Sequence, residues 1–289
     1  MTMTEDTQRL RSLRQRAIAR LAEAGIKEAA RDVDVLLEES LGLSALDFLL
    51  EPDQVVSQPC AEEFGRLLDR RLQREPVSQI LGQRDFWSLR FKVTRDCLTP
   101  RPDSETLIEA ALEALPDKTA PLDVIDFGTG SGCLLLSLLS EFPNARGTAV
   151  DLSQQALTIA RENAQNLEYV ERCHFLQSDW DAALPTDRRF DVVLCNPPYI
   201  GLHEAADLES DVREYEPHMA LFAEEEGLRE YRRLTEIIPR RIKPGGQVFL
   251  EIGHLQGAAV SELFAQTSAQ NIRVLPDLAG RDRCVTFHF

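Results

Sequence analysis

The chain has 289 residues, 43% of them hydrophobic and 28% charged, with 15 glycines and 15 prolines. That length suits two domains with real cores, and that composition excludes collagenous, low-complexity and wholly disordered chains. With 32 basic against 48 acidic residues the formal charge is −16, the wrong sign for affinity built on many phosphate contacts, so no direct nucleic-acid partner is expected.

The first third carries helical periodicity. Leu10, Leu13, Ala17 and Leu21 recur at spacings of three and four and stop at Gly25. Val33, Leu36, Leu37 and Leu41 form a second stripe ending at Gly42, and Phe64, Leu67, Leu68 and Leu72 a third that Pro76 prevents from continuing. A small helical bundle over residues 1–82 is expected, with Arg66, Arg70, Arg71 and Arg74 on a solvated face. The stretch from Met1 to Arg20 is charged, and nowhere do 18 apolar residues run together. The chain is therefore expected to be neither secreted nor membrane-spanning, but cytoplasmic. Cys60, Cys97, Cys133, Cys173, Cys195 and Cys284 contain no Cys-x-x-Cys pair and read as buried thiols in a reducing compartment, with no metal site.

From Phe86 to Val93 the pattern alternates, with Leu89, Phe91 and Val93 on one side and Arg90 and Lys92 on the other, which is strand periodicity. Residues 83–100 are expected as a hairpin-like linker, and residues 101–289 as a catalytic domain opening with a helix from Thr106 to Leu115, capped by Asp103 or Ser104. After Pro121, apolar runs at Val124–Phe127, Thr148–Val150, His174–Leu176, Phe190–Cys195 and Gln247–Ile252 alternate mostly with helical segments. Short continuous strands of that kind belong to a parallel sheet covered on both faces. Cys284–Phe289 alternates and suits an antiparallel strand at the sheet edge. The expected fold class is α/β, Rossmann-like and mostly parallel with an antiparallel edge strand, behind a helical bundle.

The strongest local signal is Asp126-Phe127-Gly128-Thr129-Gly130-Ser131-Gly132, a strand running through a glycine turn into a helix. Glycines there let a ligand approach the backbone and leave helix-start N–H groups facing it. A dinucleotide fingerprint would need a glycine at Cys133. Gly-x-Gly-x-Gly with an acid two residues ahead suits a nucleoside with a compact amino-acid tail, namely S-adenosylmethionine. Asp151 ends the next strand, where a carboxylate accepts from ribose hydroxyls or caps the following helix. Trp180 is placed to lie against the adenine and Asp179 to reach its exocyclic amine.

The fourth strand runs into Asn196-Pro197-Pro198-Tyr199, at the same sheet edge. Two prolines stiffen the backbone and remove two donors, leaving acceptors and an aromatic face. Methyl transfer to an amide or aryl amine nitrogen makes its N–H groups stronger donors in the transition state. Asn196 through its side chain and Pro197 through its carbonyl are suited to accept them, and Tyr199 to stack on the planar group. The acidic run from Glu204 to Glu216 reads as a solvated loop, or else a flexible lid facing a basic partner, and Arg101 and Glu105 as a local salt bridge, a closure over the cofactor or a means of positioning the loop.

These motifs, together with Gln79-Ile80-Leu81-Gly82, Asp85-Phe86-Trp87-Ser88-Leu89, Leu98 to Glu105, Glu216-Pro217, Ala220-Leu221, Lys243-Pro244-Gly245-Gly246, Leu250-Glu251-Ile252-Gly253 and Gly280-Arg281-Asp282-Arg283, resemble the HemK/PrmC type of peptide-chain release factor N5-glutamine methyltransferases over nearly the full chain. Ser104 and Ser131 stand where the family usually or often has threonine. The resemblance implies a class I methyltransferase fold, S-adenosylmethionine as cofactor, and class 1 release factors as protein substrates, modified at the glutamine of their Gly-Gly-Gln loop; a monomer is expected. It implies that Gly128, Thr129, Gly130, Ser131, Gly132, Asp151, Trp180 and Asn196 hold the cofactor, that Asn196, Pro197, Pro198 and Tyr199 hold the glutamine, and that the helical domain helps grip the factor. The alternatives are an enzyme acting on a ribosomal-protein glutamine, whose Arg101–Glu105 segment looks different, an adenine-N6 DNA methyltransferase, opposed by the acidic composition, and a non-catalytic S-adenosylmethionine-binding module, opposed by the intact Asn-Pro-Pro-Tyr.

Overall fold

The computed structural model describes residues 9–206 and 208–289. Residues 1–8, part of the charged N-terminal stretch, and Asp207, within the acidic run, lie outside the described residues. Contacts divide the chain into two compact units, one of residues 1–82 with 210–215, the other of 83–209 with 216–289.

The first unit is built from α1 (Leu10–Glu23), α2 (Ala29–Leu41), α3 (Ala45–Leu50), α4 (Gln58–Leu72) and α5 (Val77–Leu81). The apolar stripes predicted from spacing form its core, with Leu10, Leu21, Val33, Leu36, Phe64 and Leu68 all buried. Gly42 and Gly82 end α2 and α5 in the left-handed conformation, where a side chain would be strained. The arginine run is not uniformly solvated. Arg71 is buried and bonds Asp32 at 2.7 Å and Asp211 at 3.0 Å, while Arg70 bonds Glu75. A buried guanidinium needs such partners, and Asp211 supplies one from far along the chain. The Tyr215 hydroxyl donates to the Gln73 carbonyl at 2.7 Å, and the Gln79 amide donates to the Tyr215 carbonyl at 3.1 Å.

The second unit opens with β1 (Gln83–Phe86) and β2 (Leu89–Lys92), an antiparallel hairpin rather than one strand from Phe86. Its turn is made by Trp87 at φ 55°, whose N–H donates to Glu105. Phe86 and Phe91 join the main core, so the expected linker 83–100 is part of this unit. There follow α6 (Glu105–Ala114), β3 (Asp123–Phe127), α7 (Cys133–Glu141), β4 (Arg146–Asp151), α8 (Gln154–Asn166), β5 (Cys173–Gln177), β6 (Phe190–Cys195) and the short β7 (Ile200–Gly201). The run 210–215 that returns to the first unit is α9 (Ser210–Tyr215). The chain then forms α10 (His218–Leu221), β8 (Phe222–Ala223), α11 (Arg229–Arg241), β9 (Ile242–Glu251), α12 (Gly257–Ala265), β10 (Gln270–Pro276) and β11 (Asp282–His288).

Seven strands make one sheet in the order β10-β11-β9-β6-β3-β4-β5, parallel from β9 to β5, with β10 and β11 antiparallel. The last strand is therefore not at the edge. It lies between β9 and β10, and β10 is the edge strand that the apolar pattern did not reveal. Alternate residues feed two cores. Val124, Val192, Leu194 and Phe249 pack with α6 and α7, whereas Ile125, Val193, Cys195 and Leu250 pack with α11 and α12. β4 lies on one side of β3 and β6 on the other, so the strand order reverses beside β3 and opens a crevice at the carboxyl ends.

Of the cysteines expected to be buried, Cys97, Cys195 and Cys284 are, and Cys60, Cys133 and Cys173 are half-buried. Among the described residues no helix is long and apolar enough to cross a membrane.

Candidate active site

Phe127 and Cys195 are paired neighbours at the ends of β3 and β6, so the glycine loop and Asn196 emerge side by side. Gly128, Gly130 and Gly132 have φ of 71°, 56° and 81°, a run that side chains strain to adopt. The Gly128 and Thr129 N–H groups both donate to the Val150 carbonyl at 2.9 Å, pinning the loop to β4. Gly130 N–H donates to Asp151 Oδ2 at 2.9 Å, and Ser153 N–H to its Oδ1 at 2.8 Å. Asp151 is not the cap of α8, since the Ser153 hydroxyl accepts from Ala156 N–H in that place. Burial raises the Asp151 pKa, and the backbone N–H groups of Ser153, Gly130 and Leu152 oppose the rise.

Asp126, the acid before the loop, is buried and bonded to the Thr129 hydroxyl at 2.6 Å. Burial pushes its pKa up to about 7, with the charge of Asp151 adding to the rise. Between the unfolded value of about 4 and the folded value of about 7 the folded chain holds a proton that the unfolded chain has released, so stability falls as pH rises through this window. Asp126→Asn removes that contribution, which has a slope of at most about 1.4 kcal/mol per pH unit. Urea unfolding at pH 5.5 and pH 8 should show the variant gaining on the wild type at the higher pH. A constant difference would mean that Asp126 ionises normally.

Trp180 follows β5 with φ 48°, its indole N–H donating to Glu230 at 2.8 Å and its ring edge-on to Phe127 at 6.0 Å. Asp179 is exposed and paired with Arg233 at 2.7 Å, so a role at the adenine amine would compete with that ion pair. The acidic run departs from a solvated loop. Glu204 accepts from Gly201 N–H, and Glu216 is buried, bonding Thr99 N–H at 3.0 Å and Arg101 at 3.2 Å. Arg101 thus pairs with Glu216 and not with Glu105, which holds the hairpin turn.

The Asn-Pro-Pro-Tyr segment is fixed by Gln256, which no motif marks, and by Glu251, whose motif gives it no task. The Tyr199 carbonyl accepts from the Gln256 amide at 2.9 Å, and its hydroxyl donates to Glu251 at 3.1 Å. Burial raises the Tyr199 pKa, with the Glu251 charge adding to it, so the phenol stays protonated.

A cavity of about 330 Å³ collects these groups, lined by Gly128, Thr129, Gly130, Ser131, Asp151, Trp180, Asn196 and Pro198 among others. Gly132, Pro197 and Tyr199 are not part of the lining. Gly132 starts α7, and a Cβ there would meet Ala160 and Leu136 at 3.3 Å. Arg101, Glu230 and Arg233 also line the cavity; the last two lie on α11 and carry no motif.

The volume falls in the range of small-molecule sites. Three lining residues, Thr99, Ser104 and Ser131, have buried hydroxyls with no partner at hydrogen-bond geometry, although Ser104 is near enough to act on Glu251 and Ser131 on Cys133. Such hydroxyls fit a zwitterionic amino-acid tail, and Asp151 fits a ribose diol, so the residues present fit S-adenosylmethionine.

A sheet of this order with a glycine loop, a ribose-type acid and an Asn-Pro-Pro-Tyr segment at one crevice defines a class I S-adenosylmethionine-dependent methyltransferase. Residues 12–82 match the PrmC N-terminal domain and residues 104–214 the methyltransferase small domain. A release factor glutamine methyltransferase of Cereibacter sphaeroides is 46% identical over 270 residues, covering 93% of this chain and 95% of that relative. One of Caulobacter vibrioides is 40% identical, covering 92% and 91%. The chain belongs to the release factor glutamine methyltransferase family. A methyltransferase structure from Pyrococcus furiosus, 15% identical, aligns with TM-score 0.51 over 78% of this chain and 98% of its own, a likeness of fold.

Proposed function

We propose that the enzyme methylates the side-chain amide nitrogen of the glutamine in the Gly-Gly-Gln loop of class 1 peptide-chain release factors. The observation that carries this reading is that Asn196 and the glycine loop border one cavity at paired strand ends. S-adenosylmethionine, when bound, supplies an electrophilic methyl group. Gly128, Thr129, Gly130, Ser131, Asp151 and Trp180 hold it, with Gly132 setting the start of α7 behind the loop. An amide nitrogen is a poor nucleophile because its lone pair is delocalised. The Asn196 side-chain oxygen and the Pro197 carbonyl accept its two N–H groups and bind them more strongly as positive charge develops. Pro197 and Pro198 offer no N–H to compete for those acceptors, and the Tyr199 ring holds the amide plane in line. No strong base is needed, since an alkylated amide nitrogen loses its proton readily.

The name of the relatives, the match of residues 12–82 and the charge of −16 support a protein acceptor over nucleic acid. In this reading the helical unit grips the factor, and the enzyme works as a monomer in the cytoplasm, where six unpaired thiols are at home. The test is tritiated-methyl transfer from S-adenosylmethionine to unmethylated release factor, beside the same factor with its Gly-Gly-Gln glutamine changed. Label is expected on the first and not the second. Label on neither, with cofactor bound, would move the acceptor to another protein or to nucleic acid.

A further inference from the structure

We infer that Glu251 and Arg283 are positioning residues of the acceptor site, which fix the ring of Tyr199 by gripping its hydroxyl. This rests on the reading that Tyr199 holds the acceptor amide. Tyr199 lies after a stiff Pro-Pro backbone, and its carbonyl is tied to Gln256, so the remaining freedom is rotation of the side chain. The far end of that side chain is held twice. The hydroxyl donates to Glu251 Oε1 at 3.1 Å and accepts from Arg283 Nη1 at 3.5 Å.

Both anchors are themselves fixed by the sheet. Glu251 ends β9, one residue beyond the Cys195–Leu250 pair, and is itself the register partner of Cys284, which follows Arg283 on β11. The Tyr231 hydroxyl donates to the Glu251 carbonyl at 2.7 Å, and Ile252 N–H to the Arg283 carbonyl at 2.9 Å. The Arg283 guanidinium is held by Asp277 and Asp103, each at 3.3 Å, and by the Ile252 carbonyl. Glu251 and Arg283 thus meet on one phenol oxygen, and Asp103, far earlier in the chain, helps hold Arg283 there.

A carboxylate is a costly way to fill this place. Glu251 is 1% exposed, its Oε2 has no partner at hydrogen-bond geometry, and burial raises its pKa against the opposing pull of the Ser104 hydroxyl and the Arg283 charge. A buried ionisable group left half-satisfied costs free energy that an apolar residue of the same volume would not. Besides Ser104 and Arg283, which favour its charged form, Glu251 accepts the Tyr199 hydroxyl, and a ring pinned at its far end keeps the orientation that the acceptor reading requires of it.

The test uses the full chain and the variants Tyr199→Phe, Glu251→Leu, Glu251→Gln and the double Tyr199→Phe/Glu251→Leu. Turnover of unmethylated release factor and calorimetric affinity for S-adenosylmethionine are measured for each. Tyr199→Phe and Glu251→Leu are each expected to lower kcat/KM for the factor by about 10–100-fold, the scale of a small misplacement, with cofactor affinity unchanged. The double variant is expected within about twofold of the worse single, because both remove one contact. Glu251→Gln keeps an acceptor for the hydroxyl and recovers most of the rate. Losses that multiply in the double variant, or a wild-type rate in Glu251→Leu, overturn the inference. Should Glu251→Leu fail to fold, a wild-type rate in Tyr199→Phe overturns it equally. A wild-type enzyme that labels no release factor overturns the acceptor reading and this inference with it, whereas labelling that survives every substitution overturns this inference alone.

Discussion

Replacing Asn196 by Ala is expected to lower kcat for release-factor methylation by two to three orders of magnitude, roughly 3–4 kcal/mol of transition-state stabilisation. Affinity for S-adenosylmethionine is expected to change by less than about tenfold, or 1.4 kcal/mol. The asymmetry follows from what each group touches. The cofactor is held mainly by the glycine loop, whose backbone is tied to Val150 and Asp151 independently of Asn196. The side-chain oxygen of Asn196 matters most when the amide nitrogen becomes cationic, and an interaction stronger in the transition state than in the ground state appears in kcat. Single-turnover methylation and calorimetry on the same preparation separate the two effects. Cofactor affinity lost in parallel with turnover would show that Asn196 binds rather than catalyses, and a surviving rate would remove the acceptor role from the mechanism.

The parts of this architecture that could be read from the sequence are those whose physics is local. β6 runs over Phe190–Cys195, as the apolar stretch Val192–Cys195 predicts, because a strand buried on both faces is mostly apolar; half-buried Asp191, near its start, is the exception. The glycine loop is legible because three positive-φ residues in five demand glycine. Residue type and strand end together mark Asp151. Edge strand β10 was not legible, since Gln270, Asn271, Arg273 and Pro276 are exposed and dilute the alternation. With β10 hidden, the alternation of Cys284–Phe289 reads as an edge strand.

Long-range partners are illegible for a different reason. Nothing near Asp211 signals that it completes the surroundings of Arg71, 140 residues earlier, and so returns α9 to the helical unit. Glu230 and Arg233 lie on the polar side of an amphipathic helix that reads as solvated, yet Glu230 receives the Trp180 indole N–H. Glu251 was visible as a motif residue with no assignable task, because its partner, Tyr199, is 52 residues away. Pattern locates the backbone framework, while the second layer of contacts that fixes the reacting groups follows from the folded register.

Gly227 belongs to that second layer, and Gly227→Ala is expected to disable the enzyme although the residue touches neither ligand. Its φ is 82°, and it follows Glu225 and Glu226 at 55° and 56°, so the turn before α11 is left-handed for three residues. A Cβ at Gly227 would overlap the Tyr199 carbonyl oxygen and come within 2.7 Å of the Gln256 amide that bonds it. The Gln256 side chain could yield, but the Tyr199 contact is backbone against backbone, so either the turn or the Asn-Pro-Pro-Tyr segment must move. The left-handed conformation alone costs about 1–2 kcal/mol for an L side chain. Displacing Tyr199 by about 1 Å adds a loss near 10²-fold in turnover. Gly245→Ala provides the control, since Gly245 has φ 80° and open space where its Cβ would stand. That variant should lose the conformational term in thermal stability and keep its turnover per folded molecule. Unfolding curves and kcat for both variants decide the matter. Equal turnover in the two would mean that the Tyr199 backbone tolerates the overlap, and that the rigidity assigned to the acceptor segment does not govern the rate.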